Sequence, residues 1–151
     1  MRQSSMPTAL GMLGYGGLIP FIGLAILANI EPSHGILYRG ALLLYGAVIL
    51  SFVGAIHWGV AMMVTDLNDQ DRRAAYVWSV IPALMAWMTY ILSPISAALV
   101  LVLGFLLQYW RDATLARKIA WPVWYLPLRI RLTLVAILSL FLGILLPLFG
   151  A

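Results

Sequence analysis

Residues 37–64 read LYRGALLLYGAVILSFVGAIHWGVAMMV, an apolar run with one cation near its start, Arg39, and one imidazole near its end, His57. A bilayer core about 30 Å thick is crossed by about 20 apolar residues in a helix. This stretch therefore crosses with length to spare, and it tilts or projects from the bilayer. It is continuously apolar, whereas a barrel strand would alternate apolar and polar residues.

Four further stretches of the same character flank it, giving predicted spans at 9–28, 37–64, 74–92, 95–110 and 130–149. The fourth is the shortest. The composition agrees: of 151 residues, 64% are hydrophobic and 9% charged, and none is cysteine. A soluble domain is about 25% charged, and one this small could not hide so much apolar surface from water. Thiolate chemistry, zinc knuckles and iron–sulfur clusters are excluded with the cysteines. The expected fold is all-α: a single polytopic transmembrane bundle over 1–151. The run from Arg2 into the first span is too long for a signal peptide and reads as a permanent helix.

The connectors carry the polarity. Asn29 to Gly35 is a loop with proline and glycine breakers. Asp66 to Arg73 is either a solvated loop or the acidic start of the third span, where the helix dipole favours negative charge. Ser93–Ser96 makes a tight turn, so the third and fourth spans form an antiparallel hairpin. Residues 111–129 read as an interfacial segment. There Arg117 and Lys118 would meet anionic headgroups while Trp121, Trp124 and Tyr125 enter the boundary.

If five spans alternate, Arg2, Arg72, Arg73, Arg111, Arg117, Lys118, Arg129 and Arg131 share one side, and Arg39 alone lies on the other. The positive-inside rule then places the N-terminus in the cytoplasm and the C-terminus outside, in a cell inner membrane. Most of the tryptophans fall near span ends, where aromatic belts form. Small residues at helical spacing let helices approach closely in lipid. Gly16, Pro20 and Gly23 form such a stripe on the first span, with Pro20 expected to kink it. Ser51, Gly54 and Ala61 form another on the second.

His57 is the clear titratable exception inside a predicted span, about 10 Å from its inner end at 1.5 Å per residue. Ionisable residues within a membrane are costly, and each is a functional candidate by default. An imidazole there could serve a quinone carbonyl or a proton relay, or could lock the helix to a neighbour through hydrogen bonds. Tyr15, Trp58, Ser79 and Gln108 lie at comparable depth and could complete a ligand pocket with it. Axial haem ligation by His57 and His34 fails, because the two sit near opposite faces. All five carboxylates lie at or beyond predicted span ends, which removes intramembrane metal sites and carboxylate pairs. No nucleophile elbow or phosphate-cradling loop is present, and the few cations lie at headgroup level, which argues against nucleic acid.

Several strings resemble an uncharacterised family. They are Leu13-Gly14-Tyr15-Gly16-Gly17-Leu18-Ile19-Pro20-Phe21, Tyr45-Gly46-Ala47-Val48-Ile49-Leu50-Ser51-Phe52, Ile56-His57-Trp58-Gly59, Trp78-Ser79-Val80-Ile81-Pro82, and Trp124-Tyr125 with Leu128-Arg129. The group comprises small bacterial inner-membrane proteins with mitochondrial transmembrane relatives, a domain of unknown function. The resemblance implies five helices, with no assigned activity, cofactor or catalytic residue. Three classes of function are expected in descending order: a non-enzymatic accessory, assembly or scaffold component with other membrane subunits as partners; a binder of a lipophilic ligand such as a quinone; and a carrier or channel.

Overall fold

A computed structural model describes residues 5–148, and the described residues contain helices and turns with no strand. Arg2 and the predicted span end at Phe149 lie outside them. Among the described residues, five helical stretches are long and apolar enough to cross a membrane: Thr8–Ile30, Pro32–Met63, Asp69–Ile91, Pro94–Leu115 and Tyr125–Leu145.

The first span is broken, as Pro20 foretells. Helix α1 (Thr8–Gly16) stops, Gly17 and Leu18 form a turn, and α2 (Ile19–Ile30) restarts with Pro20 in its first turn. Proline is accommodated there because first-turn amides have no intrahelical partner. The Tyr45 hydroxyl donates to the Gly17 carbonyl at 2.8 Å, serving a backbone group that the break leaves open.

A 3-10 turn at Pro32–His34 leads into α3 (Gly35–Met63). At 1.5 Å per residue α3 is about 43 Å long, well beyond a bilayer core. Arg72 donates to the Ala61 carbonyl in the last turn of α3 and to the Thr65 and Leu67 carbonyls of the loop that follows.

Helix α4 (Asp69–Met88) begins five residues before the predicted 74, at the acidic start that the sequence allows. The Asn68 side chain accepts the Asp71 amide at 2.8 Å, and Asp69 and Asp71 occupy the first turn. A 3-10 turn (Thr89–Ile91) and the Ser93 cap lead to α5 (Pro94–Leu115). α5 continues five residues past the predicted end at Trp110. α6 (Tyr125–Leu140) starts five residues before the predicted 130 and closes through one π-helical turn at Phe141–Leu145.

Helix α3 packs against α2, α4, α5 and α6, most extensively against α4. The core is built on Phe21, Leu42, Leu50, Leu101 and Leu140, all fully enclosed. Phe21 meets Tyr45 and Phe105 edge-on, with ring centroids 5.0 and 6.1 Å away. Close approach depends on particular glycines. A Cβ on Gly54 would lie 2.7 Å from the Pro82 ring, and one on Gly104 would lie 2.5 Å from a Leu50 methyl.

The predicted small-residue stripes need correction. Ala61 and Gly54 are buried, and Ser51 returns its hydroxyl to the Ala47 carbonyl within its own helix. Gly16 and Gly23 instead face open space. The first span buries Phe21, Ala25 and Ala28, a different face of α2 from that of Pro20 and Gly23.

The interfacial segment is also shorter than 111–129. Residues 111–115 belong to α5 and 125–129 to α6, leaving 116–124 as the connector. Within it Arg117 is exposed, whereas Lys118 pairs with Asp71 of α4. Trp121 stacks flat on Tyr125, at 4.1 Å and 10°, and Trp124 meets Tyr125 at 6.3 Å. These aromatics turn toward the bundle because Tyr125 is itself enclosed, at 8% exposure.

Candidate functional site

The polar interior gathers near the basic end of the bundle, where four helices each contribute. α3 brings His57 and the Val53 carbonyl, α4 brings Trp78, α5 brings Gln108 and Asp112, and α6 brings Tyr125 and Arg129. His57, Gln108 and Asp112 are at most 1% exposed, and Arg129 is 6% exposed.

Gln108 is the hub. Its Oε1 accepts from Trp78 Nε1 at 2.9 Å. Its Nε2 faces three acceptors: Asp112 Oδ1 at 3.1 Å, His57 Nδ1 at 3.2 Å and the Val53 carbonyl at 3.3 Å. Two amide hydrogens are thus shared among three acceptors. With Nδ1 accepting, the His57 ring proton sits on Nε2, which lies 3.6 Å from Asp112 Oδ1 and makes no hydrogen bond among the described residues. The far oxygen of Asp112 accepts from Arg129 Nε at 2.8 Å and from the Tyr125 hydroxyl at 3.4 Å. Each group is therefore held by another from a different helix or a different turn. Such a cluster fixes the rotation of each helix about its own axis, since one-third of a turn would strand a charge in hydrocarbon.

The predicted ligand residues separate into two sets. His57 and Gln108 do meet. Trp58 is half exposed on the outer face of α3 and packs edge-on against Tyr76 at 5.3 Å. Tyr15 is at the bundle surface, where its hydroxyl accepts from Arg131 at 3.1 Å. Ser79 is buried, but its hydroxyl returns to the Tyr76 carbonyl at 2.6 Å within its own helix.

Asp112 and Arg129 are the members that sequence reasoning missed, and the expectation that every carboxylate lies at or beyond a span end is corrected here. The signal was periodicity. Ala97, Leu101, Gly104, Phe105, Gln108, Asp112 and Leu115 are the buried residues of α5 along with Ala98, at spacings of three and four. A span that ends at Trp110 stops that stripe one turn too early. Arg129 likewise lies on the buried stripe of α6 with Tyr125, Thr133 and Ala136, whereas Arg131, two positions on, points out.

A consequence follows for Gln108→Leu. The substitution leaves His57 Nδ1 buried without a partner, at a cost of about 1–3 kcal/mol, and takes the acceptor from the half-buried Trp78. Thermal unfolding in mild detergent should show a clear loss of stability. An unchanged midpoint would mean that the hub carries no weight.

Five apolar helical spans around one enclosed charged cluster define a polytopic integral membrane protein. Residues 6–145 match the family described as "Protein of unknown function (DUF3429)", and the chain belongs to that family. It is 36% identical over 137 residues to Transmembrane protein 69 of Xenopus tropicalis, covering 85% of this chain and 50% of that protein. The chain thus spans about half the length of that curated relative. No solved structure matches.

Proposed function

We propose that this protein is a non-enzymatic accessory, assembly or scaffold component of a membrane complex. One observation supports the reading above others: the strongest polar groups of the interior, His57, Gln108, Asp112 and Arg129, are turned on one another and enclosed. A catalytic group must reach the atoms that react. Here the imidazole and the carboxylate serve the helix packing.

The distribution of charge suggests the orientation. Arg72, Lys118 and Arg131 are engaged at one end of the bundle, while Glu31, Ser33 and His34 contact one another at the other. By the positive-inside rule the basic end faces the cytoplasm of an inner membrane, where anionic headgroups would meet Arg117.

Purification of the natively expressed chain in mild detergent tests the functional reading. A partner subunit in fixed stoichiometry is expected to travel with it. A chain that runs alone at its own mass, from gently solubilised membranes, would count decisively against the proposal. The same membranes test the orientation, because the chain has no cysteine of its own. A single cysteine at Ala120 should react only with reagents added from the cytoplasmic side; labelling from outside would reverse the orientation.

A further inference from the structure

Beside Arg129 lies a hollow of about 120 Å³ between the first span, α3, α5 and α6. Phe21 and Phe105 line its deep side, and the exposed side chains of Leu13 and Phe52 stand among its lining at the lipid-facing surface. Two polar side chains enter this apolar lining. Arg129 is 6% exposed and Thr133 is 4% exposed. The Arg129 Nη2 and the Thr133 Oγ1 have no hydrogen-bond partner among the described residues. They are four residues apart on α6, one above the other on the same face.

A buried guanidinium nitrogen and a buried hydroxyl left open in hydrocarbon each cost free energy, and a donor pair one helical turn apart suits an incoming oxygen acceptor. The net charge that this acceptor should carry follows from Asp112, which already balances Arg129 at 2.8 Å. A second anion would lack a counter-charge, whereas a neutral carbonyl would not. The volume is also informative, because an apolar cavity of about 150 Å³ accepts a benzene ring. This smaller hollow, open on one side, suits one ring or a short acyl segment whose tail continues into lipid.

We propose that the Arg129–Thr133 hollow binds the carbonyl head of a neutral lipophilic molecule, either a quinone ring or the acyl ester of a membrane lipid. The site is separate from His57 and does not depend on the scaffold reading. The ligand is held there, with no bond made or broken.

The test uses the full chain in nanodiscs of ether-linked phospholipid, which supply no ester carbonyl. Decylbenzoquinone, a doped diacyl ester lipid and decylbenzene are titrated separately, and the thermal midpoint is followed. A saturable rise with decylbenzoquinone and none with decylbenzene identifies a quinone-type head. A rise with the ester lipid alone identifies the acyl ester. In either case Thr133→Val should weaken binding about three- to tenfold, the range for one lost hydrogen bond. Because the hydroxyl has no hydrogen-bond partner among the described residues, the same variant without ligand should be at least as stable as the parent. Leu132→Trp, which fills the hollow from its wall, should abolish the rise; if that variant does not fold, Thr133→Val decides alone. Equal responses to decylbenzene and the carbonyl ligands would overturn the proposal. So would unchanged binding by Thr133→Val, or a preference for a free fatty acid over its methyl ester.

Discussion

Asp112→Ala is expected to lower the stability of the bundle by about 3–5 kcal/mol, the cost of leaving one member of a buried ion pair alone. The carboxylate is fully enclosed and accepts from Gln108, Arg129 and Tyr125. Its removal strands the Arg129 charge and at least one further donor. Arg129→Ala should cost a similar amount for the mirror-image reason. The double variant Asp112→Leu with Arg129→Met should lie closer to the native midpoint than either single variant, because an apolar pair avoids both desolvation costs. Neighbours in one network couple by about 0.5–3 kcal/mol. Chemical or thermal unfolding of the parent, Asp112→Leu, Arg129→Met and the double variant in one detergent measures that coupling. Strict additivity would mean that the two side chains do not form an energetic unit.

The second large effect is expected at Gly54. A methyl group there would sit 2.7 Å from the ring of Pro82, which has no rotamer into which to escape. α3 and α4 would have to separate, and overpacking of this kind costs about 1–3 kcal/mol. Gly104→Ala meets a Leu50 methyl at 2.5 Å and should cost less, because a leucine terminus can turn aside. Gly23→Ala meets nothing within 4 Å and replaces a poor helix former, so it should be neutral or stabilise by up to about 1 kcal/mol. Melting midpoints of the three variants should therefore fall in the order Gly54→Ala, Gly104→Ala, Gly23→Ala, from lowest to highest. A destabilised Gly23→Ala would show that the α2 stripe is packed after all.

The solvent and the number of spans are plain in the sequence, since both depend on the average character of long windows. Residues 37–64 need no neighbour to be read as a membrane helix. The span ends are harder to read, because charges can continue in helical register beyond the apolar window. α5 carries Arg111 and Asp112 in helical register, and α6 carries Arg129 and Arg131 in the same way. A charge ends a span only if it has no partner, and partners come from other helices. The Asp112–Arg129 pair joins residues 17 positions apart, and His57 meets Gln108 across 51. No local pattern encodes such distances.

His57 and Gln108 could be picked out because each is polar within a predicted span. Tyr15 and Trp58 shared their depth but not their rotation: both lie on outward-facing surfaces, about which depth along the sequence says nothing. Gly16 and Gly23 share a helical spacing yet both face open space, because the buried face of α2 runs through Phe21, Ala25 and Ala28. Close approach was instead achieved where one helix offers a glycine and its neighbour a bulky side chain, as Gly54 does to Pro82.

The decisive measurement joins the buried cluster to the proposed role. Asp112→Leu with Arg129→Met is carried through the same mild-detergent purification as the parent chain, and the mass of the native assembly is compared. If the cluster serves architecture alone, the variant should fold and co-purify with the same partner in the same stoichiometry. A variant that folds with native helix content yet runs without that partner would contradict a purely architectural role.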